Sequence, residues 1–223
     1  MRELTYNGVY SPLAIKDNID ELTDLYKNAF SAPPWKERSI CPIGGKTQTC
    51  PSMYSPIEVG VLCDDCGQTP VQDAYETEDL HKKFLEETDN SHLLWWLEKT
   101  PHGDIIMAAL ARIATVSGLL SEVLNEEPEI QSWMQQAHYN TDEKVVWVQD
   151  IFADTRIRPK GNLKNFGAMC TRLAGNSTNL VMFGTVNPRL ISAAQRDFSG
   201  AVTIADPAFD QVHGRKKIVS IDL

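Results

Sequence analysis

The sequence predicts an α+β (or α/β) protein in which helices pack on a central sheet. Two observations carry this prediction: strand-like and helix-like segments alternate along the C-terminal part of the chain, and two apolar runs in its middle flank a tight-turn sequence. With 223 residues, 42% hydrophobic and 23% charged, the chain can bury one sizeable core. We therefore expect a single domain over residues 1–223, interrupted by an irregular insertion at residues 38–75.

The N-terminal part predicts one strand and one helix. A short strand is expected from Gly8 to Leu13, and DNIDELTDLYKNAFSA then places apolar residues at every third or fourth position, as an amphipathic helix does. Asn18 and Glu21 have the spacing of a helix-capping pair, and the prolines of APPW end the helix. Residues 38–75 lack this period and are rich in Cys, Pro, Gly, Thr and Asp, which is typical of an irregular insertion.

The middle of the chain predicts a helix, a hairpin and a second helical stretch. A short helix is expected from Glu78 to Thr88. HLLWWLEKT and DIIMAALARIATV flank PHGD and indicate a β-hairpin, although the alanine-rich second run also fits a helix. Apolar spacing from Ser117 to Tyr139 indicates a helical stretch that Pro128 divides in two.

The C-terminal part has the clearest alternation. KVVWVQDIFA is strand-like because it is rich in β-branched and aromatic residues, and LKNFGAMCTRLAG is a helix that Gly175 ends. NLVMFGTV predicts a second strand and NPRLISAAQRDF a second helix. AVTIA and KKIVSIDL predict the closing strands.

The charge balance narrows the classes of function. A formal charge of −9 argues against bulk binding of nucleic acid, which needs a basic surface to displace counterions. An acidic surface would suit a cationic substrate, and it also serves solubility alone. No apolar run reaches 18 residues, and the N-terminal residues lack the apolar core of a signal peptide. We therefore expect a cytoplasmic protein without a membrane partner.

The segment RIRPKGNLKNF, residues 156–166, lies between a predicted strand and a predicted helix. The first amides of a helix are unpaired and lie at its positive end, so such a loop can bind an anion. Gly161 allows a ligand close to the backbone, while Arg156, Arg158 and Lys160 add positive charge. Neither the P-loop spacing nor the dinucleotide fingerprint is present. By its residues alone, the segment also fits a solvated basic turn.

The context of this segment resembles motif A of the GNAT acetyltransferase superfamily. That motif follows a strand with Arg/Gln-x-x-Gly-x-Gly/Ala and a helix, and FADTRIRPKGNLKNFGAMCTRL matches it through Arg158, Gly161 and Leu163. LTDLYKNAFSAPPWKE resembles the first-helix segment of the superfamily, and LVMFGTVNPRLISAAQRDFSG resembles its penultimate strand, Asn and helix. The resemblance implies a GNAT-like fold, with a mixed and mainly antiparallel sheet flanked by helices.

The resemblance also implies where an acyl-CoA would bind. Amides of the motif A loop would grip its pyrophosphate, and the end of the preceding strand would pair with the pantetheine arm through free N–H and C=O groups. Asn187 matches the asparagine that opens the cofactor-side helix. The implied cofactor-binding residues are Ile151, Phe152, Ala153, Arg158, Pro159, Lys160, Gly161, Asn162, Leu163 and Asn187.

Two residues depart from the family's pattern. Leu163 replaces the usual small residue of the motif, so its side chain must turn away from the phosphate. Ala194 stands seven residues after Asn187, where the family often has a tyrosine that acts as general acid towards the leaving thiolate. Either another group serves, or water protonates CoA, or the chain has lost catalysis.

Acyl transfer to an amine also needs a proton acceptor near the thioester. Asp150 precedes the strand residues that would pair with pantetheine, and it is the leading candidate for the catalytic base. A carboxylate bonded to a neighbouring backbone group is the ordinary alternative for such a residue. His92 and His138 are weaker candidates for the base, and Tyr139 is a candidate for the acid.

Four of the five cysteines lie in the insertion, at Cys41, Cys50, Cys63 and Cys66. The last two form the knuckle CDDCG, in which two thiolates can bind one metal ion and the glycine allows a tight turn. We expect the four to hold one structural Zn²⁺ in a closed tetrahedral site; two disulfides or free thiols are the alternatives, and His81 could replace one ligand. Cys170 falls on an apolar helix face and is expected in the core.

Together these features predict a GNAT-like N-acetyltransferase that moves an acetyl group from acetyl-CoA to an amine of a small molecule or a peptide. The insertion would recognise the acceptor or a partner, or would be a passive lobe or a homodimer contact. The alternative function is a catalytically weak acyl-CoA-binding or protein-interaction module on the same fold, which the alanine at Ala194 favours. A zinc-ribbon nucleic-acid binder is disfavoured because Lys46 is the single cation between Cys41 and Cys66.

Overall fold

The computed structural model of the protein describes residues 6–31, 39–41, 59–63, 66–67, 70, 72–85, 93–122, 139–154, 165–185, 187–200, 202–210 and 214–223. The strands in these ranges are β1 (Tyr6–Tyr10), β2 (Ser39–Ile40), β3 (Gln72–Asp73), β4 (Leu93–Lys99), β5 (Ile105–Thr115), β6 (Lys144–Ala153), β7 (Leu180–Thr185), β8 (Val202–Asp210) and β9 (Gly214–Asp222). The helices are α1 (Ile19–Ser31), α2 (Thr77–Leu85), α3 (Val116–Glu122), α4 (Phe166–Ala174) and α5 (Pro188–Asp197), with a 3-10 helix at Leu13–Asn18. Among these helices, none has the length and apolar character needed to cross a membrane.

Seven strands form one sheet in the order β1-β4-β5-β6-β7-β9-β8. β6 and β7 run parallel, and the other neighbouring pairs in this sheet run antiparallel. The short strands β2 and β3 pair with each other inside the predicted insertion. A mixed, mainly antiparallel sheet flanked by helices confirms the predicted fold class.

The predicted hairpin is formed by β4 and β5. A tight turn joins them, in which the Gly103 amide donates to the Thr100 carbonyl at 3.0 Å. The alanine-rich run of β5 is a strand rather than a helix because β4 and β6 pair with it on both sides. Its buried alanines are small, so helices can pack closely on both faces of the sheet centre.

Alternation along the strands divides the core between the two faces of the sheet. Trp96 lies in a cluster with α4 and α5, whereas its neighbour Trp95 lies in a cluster with α1 and α2. Leu119 of α3 lies in a third cluster with Trp147, on the same face as α1. The helices therefore form two layers, and the central strands of the sheet are buried between them.

Some boundaries differ from the predicted ones. β1 ends at Tyr10 because Pro12 opens the 3-10 helix. β8 continues beyond AVTIA to Asp210, with a register shift between Ala205 and Ala208 around a proline that cannot donate to the ladder. The helical stretch after Ser117 begins as α3, and the predicted break at Pro128 lies outside the described residues.

Asp197 ties the end of α5 to the start of α4. Its Oδ2 accepts a hydrogen bond of 2.9 Å from the Gly167 amide, one of the N–H groups that the first turn of a helix leaves unpaired. A Cβ at Gly167 would lie 3.0 Å from the Asp197 Cβ, so a larger residue would push Asp197 away by a few tenths of an ångström. Hydrogen bonds from Arg196 and, to a lesser extent, from the Gly167 amide hold the pKa of Asp197 below its ordinary value.

We expect Asp197→Asn to lower the free energy of unfolding at pH 7 by about 1 kcal/mol, the scale of one partly exposed charged hydrogen bond. Because the folded-state pKa is lowered, the ionised carboxylate stabilises the fold above its ordinary pKa of 3.8, and this contribution is lost as pH falls through the lower folded value. Urea unfolding of both proteins at pH 7 and in acid should show a difference that shrinks in acid. Asp222→Asn, at an exposed position in β9, is the control. Equal stabilities at pH 7 would contradict the prediction.

Candidate active site

A β-bulge at Gln149 changes the direction of the side chains along β6. Ala111 of β5 pairs with Val148 and Leu110 pairs with Asp150, so Gln149 is the extra residue. Val148 before the bulge and Ile151 after it both lie on the face covered by α4 and α5. In an unbroken strand, Asp150 would share that face with Val148. The bulge turns Asp150 to the opposite face, towards α1 and α2.

β6 and β7 separate at this bulge. Their parallel pairing ends at Val148 and Phe183. Beyond that point, β6 stays paired with β5 and β7 stays paired with β9 as far as Thr185. Within the described sheet, the two strands thus each leave an open edge at the carboxyl end of the parallel pair. Ligands of α/β sheets commonly bind at the carboxyl ends of strands.

The open edge of β6 presents the backbone of Ile151 and Ala153. Asp154 donates its N–H to the Ile106 carbonyl of β5 at 2.9 Å. Because backbone groups alternate in direction along a strand, those of Phe152 also face β5. Those of Ile151 and Ala153 turn into the gap between β6 and β7. Two of the three residues predicted to pair with pantetheine therefore have the backbone direction that such pairing needs.

Asp150 binds two side chains that the sequence did not single out. Lys83 Nζ of α2 donates to Asp150 Oδ2 at 2.8 Å, and the Tyr26 hydroxyl of α1 donates to Asp150 Oδ1 at 3.4 Å. Lys83 also donates to the Tyr26 oxygen at 3.0 Å, and its ammonium lies 4.8 Å from the centre of the Tyr26 ring. We call these three residues the Asp150 network; it lies where the open edge of β6 begins.

An aromatic cluster fixes the Asp150 network in place. Its ring centroids lie 4.4 to 5.5 Å from that of Tyr26, and its members are Phe30, Tyr75, Phe84 and Phe152. These rings come from α1, α2, the residues just before α2, and β6, so their packing holds both helices against the strand. Tyr26 and Lys83 lie 124 and 67 positions from Asp150 along the chain. No local spacing could have predicted their meeting.

Asn187 opens α5, as predicted. Its Oδ1 accepts a hydrogen bond of 3.0 Å from the Arg189 amide, and Pro188 occupies the first helical position. Ala194 is fully buried in the core between α5 and the sheet. This position therefore supplies no proton donor. Tyr139, the candidate acid, lies in the cluster beside α3.

The predicted phosphate-binding loop at residues 158–163 lies outside the described residues, as do His92 and His138. Asn165 is the first described residue after this loop. Its Nδ2 donates to Oε1 of the buried Glu98 at 2.9 Å. α4 begins at the next residue. A helix N-terminus therefore follows the loop, as the anion-binding prediction requires.

Three of the insertion cysteines converge. The Sγ atoms of Cys41, Cys63 and Cys66 lie within 4.8 Å of one another, with 3.9 Å between those of Cys41 and Cys66. Thiolates bound tetrahedrally to one zinc ion are about 3.8 Å apart, so the three fit such a site. The Gly67 amide donates to the Cys63 carbonyl at 2.7 Å with a φ of +62°, which closes the knuckle turn. Cys50 lies outside the described residues.

His81 and Cys170 lie apart from the three converging cysteines. His81 lies on α2, and its Nε2 is 3.3 Å from Oδ1 of Asp20. Among the described residues, the ligand atoms that converge belong to the cysteines, and His81 is not one of them. Cys170 is buried on α4, as predicted, and burial raises the pKa of its thiol, which makes it a poor nucleophile.

No protein-family model matches the chain, and no curated protein matches it. Solved structures do. One is a GNAT superfamily phosphinothricin acetyltransferase from Sinorhizobium meliloti in complex with acetyl-CoA, with a TM-score of 0.53 and 12% identity over 100% of this chain and 89% of that one. Another is a "histone acetyltransferase HPA2 and related acetyltransferase" from Corynebacterium glutamicum, with a TM-score of 0.53 and 11% identity over 97% and 96%. An agmatine N-acetyltransferase gives 0.51 and 14% over 97% and 99%.

These similarities define the class of fold. At 11 to 14% identity, they show that the chain path and the arrangement of helices and strands are similar. The chain has the fold of the GNAT N-acetyltransferases, which confirms the fold that the motif A resemblance implied.

Proposed function

We propose that the protein is an acyl-CoA-dependent N-acyltransferase that transfers an acetyl group from acetyl-CoA to an amine. The observation that carries this proposal is the open edge of β6 with Asp150 at its start, in a chain with the GNAT fold. Binding of acetyl-CoA by the similar phosphinothricin acetyltransferase supports the choice of co-substrate. The acceptor is an amine of a small molecule or of a peptide, and an acidic protein suits a cationic one.

In this proposal, the backbone binds the co-substrate. Ile151 and Ala153 turn N–H and C=O groups into the gap between β6 and β7, where an extended amide-containing arm can pair with them as an added strand would. The loop from Arg158 to Leu163 precedes α4, and its amides and cations would hold the pyrophosphate. Asn187 would act by fixing the start of α5 beside the gap.

Asp150 is the proposed base. Its carboxylate accepts a proton from the attacking nitrogen, which forms a bond to the thioester carbon as the C–S bond breaks. The leaving thiolate takes up one proton, so the neutral amine and acetyl-CoA become the amide and free CoA. Since Ala194 is buried and carries no donor, that proton comes from water or from another side chain.

The metal in this proposal is structural. Cys41, Cys63 and Cys66, together with Cys50, would hold one Zn²⁺ and leave it no open coordination position for catalysis. A reducing cytoplasm, the compartment that the sequence predicts, would keep these thiols available to the metal. The zinc would then hold the irregular insertion in one shape.

An alternative function has support from two observations. The buried Ala194 supplies no acid, and Lys83 already engages the carboxylate of Asp150. A protein that binds acyl-CoA and turns it over weakly, with the insertion contacting a partner, would show both features. Binding and turnover must therefore be measured separately.

Ala153→Pro should weaken binding of acetyl-CoA by about tenfold, the value of one lost hydrogen bond. Proline removes the N–H that faces the gap, while the neighbouring residues keep the pairing with β5. Calorimetric titration with acetyl-CoA measures the effect, and Ala153→Gly, which keeps the N–H, is the matched control. An unchanged affinity in a folded Ala153→Pro protein would contradict the proposed pairing, and no binding to the unmodified protein would contradict both functions.

Release of free CoA thiol, followed across panels of amines and peptides, then separates the two functions. Turnover with any acceptor supports the transferase. Binding of acetyl-CoA without thiol release on these panels supports the alternative.

A further inference from the structure

An amine already lies against the proposed base. Lys83 Nζ is 2.8 Å from Asp150 Oδ2, within the distance over which a proton passes directly from nitrogen to oxygen. The Lys83 side chain is 41% exposed, and that of Asp150 is 16% exposed. The ammonium therefore covers part of the carboxylate and is itself open to solvent.

We propose that Lys83 is a site of self-acetylation, at which the protein transfers the acetyl group of bound acetyl-CoA to its own side chain. This inference rests on the proposed function. Lys83 has the two features that the reaction asks of an acceptor, which are a primary amine and a hydrogen bond to the base. Its four-carbon stem is flexible, so a rotamer change can bring Nζ from Asp150 towards the open edge of β6.

Acetyl transfer to Lys83 removes two protons from its nitrogen. The Lys83 ammonium gives one proton to Asp150, and the neutral nitrogen attacks the thioester carbon. A bond forms between Nζ and the acetyl carbon, the C–S bond breaks, and the nitrogen loses a second proton. One proton ends on the CoA thiolate and the other reaches solvent from Asp150. The products are Nε-acetyl-Lys83 and free CoA.

Acetylation would change the Asp150 network. The amide nitrogen carries no charge, so the ion pair with Asp150 and the cation–π contact with Tyr26 are both lost. Asp150 would then be free to engage the amine of an external acceptor. Self-acetylation would therefore act as a priming step that clears the base.

Lys27 provides a comparison within the same face of the protein. It also pairs with a carboxylate, since its Nζ lies 3.3 Å from Asp73 Oδ2 and 3.0 Å from Thr77 Oγ1. Its side chain is 28% exposed. Asp73 belongs to β3, however, and not to β6. Proximity to the proposed base therefore distinguishes Lys83 from an ordinary paired lysine.

The test incubates the full chain with acetyl-CoA and no added acceptor, and follows acetylation by intact mass and peptide mapping. Lys83 should be acetylated about tenfold or more faster than Lys27, as expected for an amine held beside its base. The rate per molecule should not depend on protein concentration, because the transfer is within one chain. Asp150→Asn should reduce labelling at Lys83 to the level of Lys27, and Lys83→Arg should remove the fast phase while Lys27→Arg keeps it.

Equal labelling of Lys83 and Lys27, or labelling of Lys83 that persists in Asp150→Asn, would overturn the inference. Calorimetry on the same samples separates failure of self-acetylation from failure of acetyl-CoA binding. If acetyl-CoA binds and external amines are acetylated while Lys83 stays unmodified, the inference fails and the proposed function stands. If acetyl-CoA does not bind, the proposed function fails first. Circular dichroism of Asp150→Asn and of Lys83→Arg checks that lost labelling is not lost folding.

Discussion

Asp150→Asn should lower kcat for acetyl transfer by about 100-fold or more, the usual contribution of a positioned base. The dissociation constant of acetyl-CoA should stay nearly the same, because the proposed cofactor contacts come from the backbone of Ile151 and Ala153 and from the loop before α4. Asparagine keeps the shape of the side chain and its hydrogen bond to Tyr26, but it accepts a proton poorly. Steady-state kinetics and calorimetric titration on the same preparation measure the two quantities.

Two controls make this result specific to Asp150. Asp142→Asn removes a carboxylate from the exposed turn ahead of β6 and should leave kcat unchanged. The double variant Asp150→Asn with Lys83→Gln removes the ammonium that would otherwise lose its carboxylate partner. If the double variant recovers activity, the single substitution acted through the uncompensated charge of Lys83 and not through a lost base. If kcat of Asp150→Asn is near that of the unmodified protein, Asp150 is not the base.

Structural features that depend on residues close together in the sequence could be predicted. β6 has the predicted bounds because the segment is rich in β-branched and aromatic residues, which favour a strand. Asn187 followed by Pro188 has the chemistry of a helix start and forms one. The hairpin of β4 and β5 was also predictable, since PHGD is a turn between two apolar runs.

Features that depend on pairing between distant segments could not be predicted. The bulge at Gln149 arises from the register between β5 and β6, and it decides which face Asp150 occupies. Nothing in KVVWVQDIFA marks the residue at which the alternation changes phase. The partners of Asp150 were likewise hidden, because Tyr26 and Lys83 lie on two helices whose position is set by packing of the aromatic cluster. The position of Asp150 on the strand is therefore enough to make it a candidate base. Its hydrogen-bond partners depend on the tertiary structure and cannot be read from the sequence.

The insertion is connected to the Asp150 network through short contacts. Cys41 follows β2 directly, and β2 pairs with β3. Asp73 at the end of β3 binds Lys27 of α1, and Tyr75 packs its ring edge-on against Tyr26 at 5.1 Å. A metal that holds the insertion would therefore also hold the residues that pack beside the proposed base.

Cys63→Ser should abolish zinc binding and loosen the insertion. The unmodified protein should carry about one zinc per chain, since the converging thiols form one tetrahedral site, and the variant should carry almost none. Binding free energies of structural zinc are about 10 kcal/mol or more, so its loss should unfold the segment that it holds. Elemental analysis measures the zinc, and limited proteolysis should find new cleavage within residues 38–75. Cys170→Ala, a cysteine in the α4 core, should keep the metal.

The same variants decide what the insertion does. Cys50→Ser should lose zinc as Cys63→Ser does if Cys50 is the fourth ligand, and retention of zinc would assign that position to another group. The contacts from Cys41 through β2 and β3 to Tyr75 connect the insertion to the Asp150 network. If they keep that network in place, removal of zinc by a chelator should lower kcat by about tenfold, because misplaced supporting groups mainly affect the reacting geometry. The affinity for acetyl-CoA should change little. Zinc loss without a change in kcat would make the insertion a passive lobe. A protein purified without zinc under reducing conditions would refute the metal site itself.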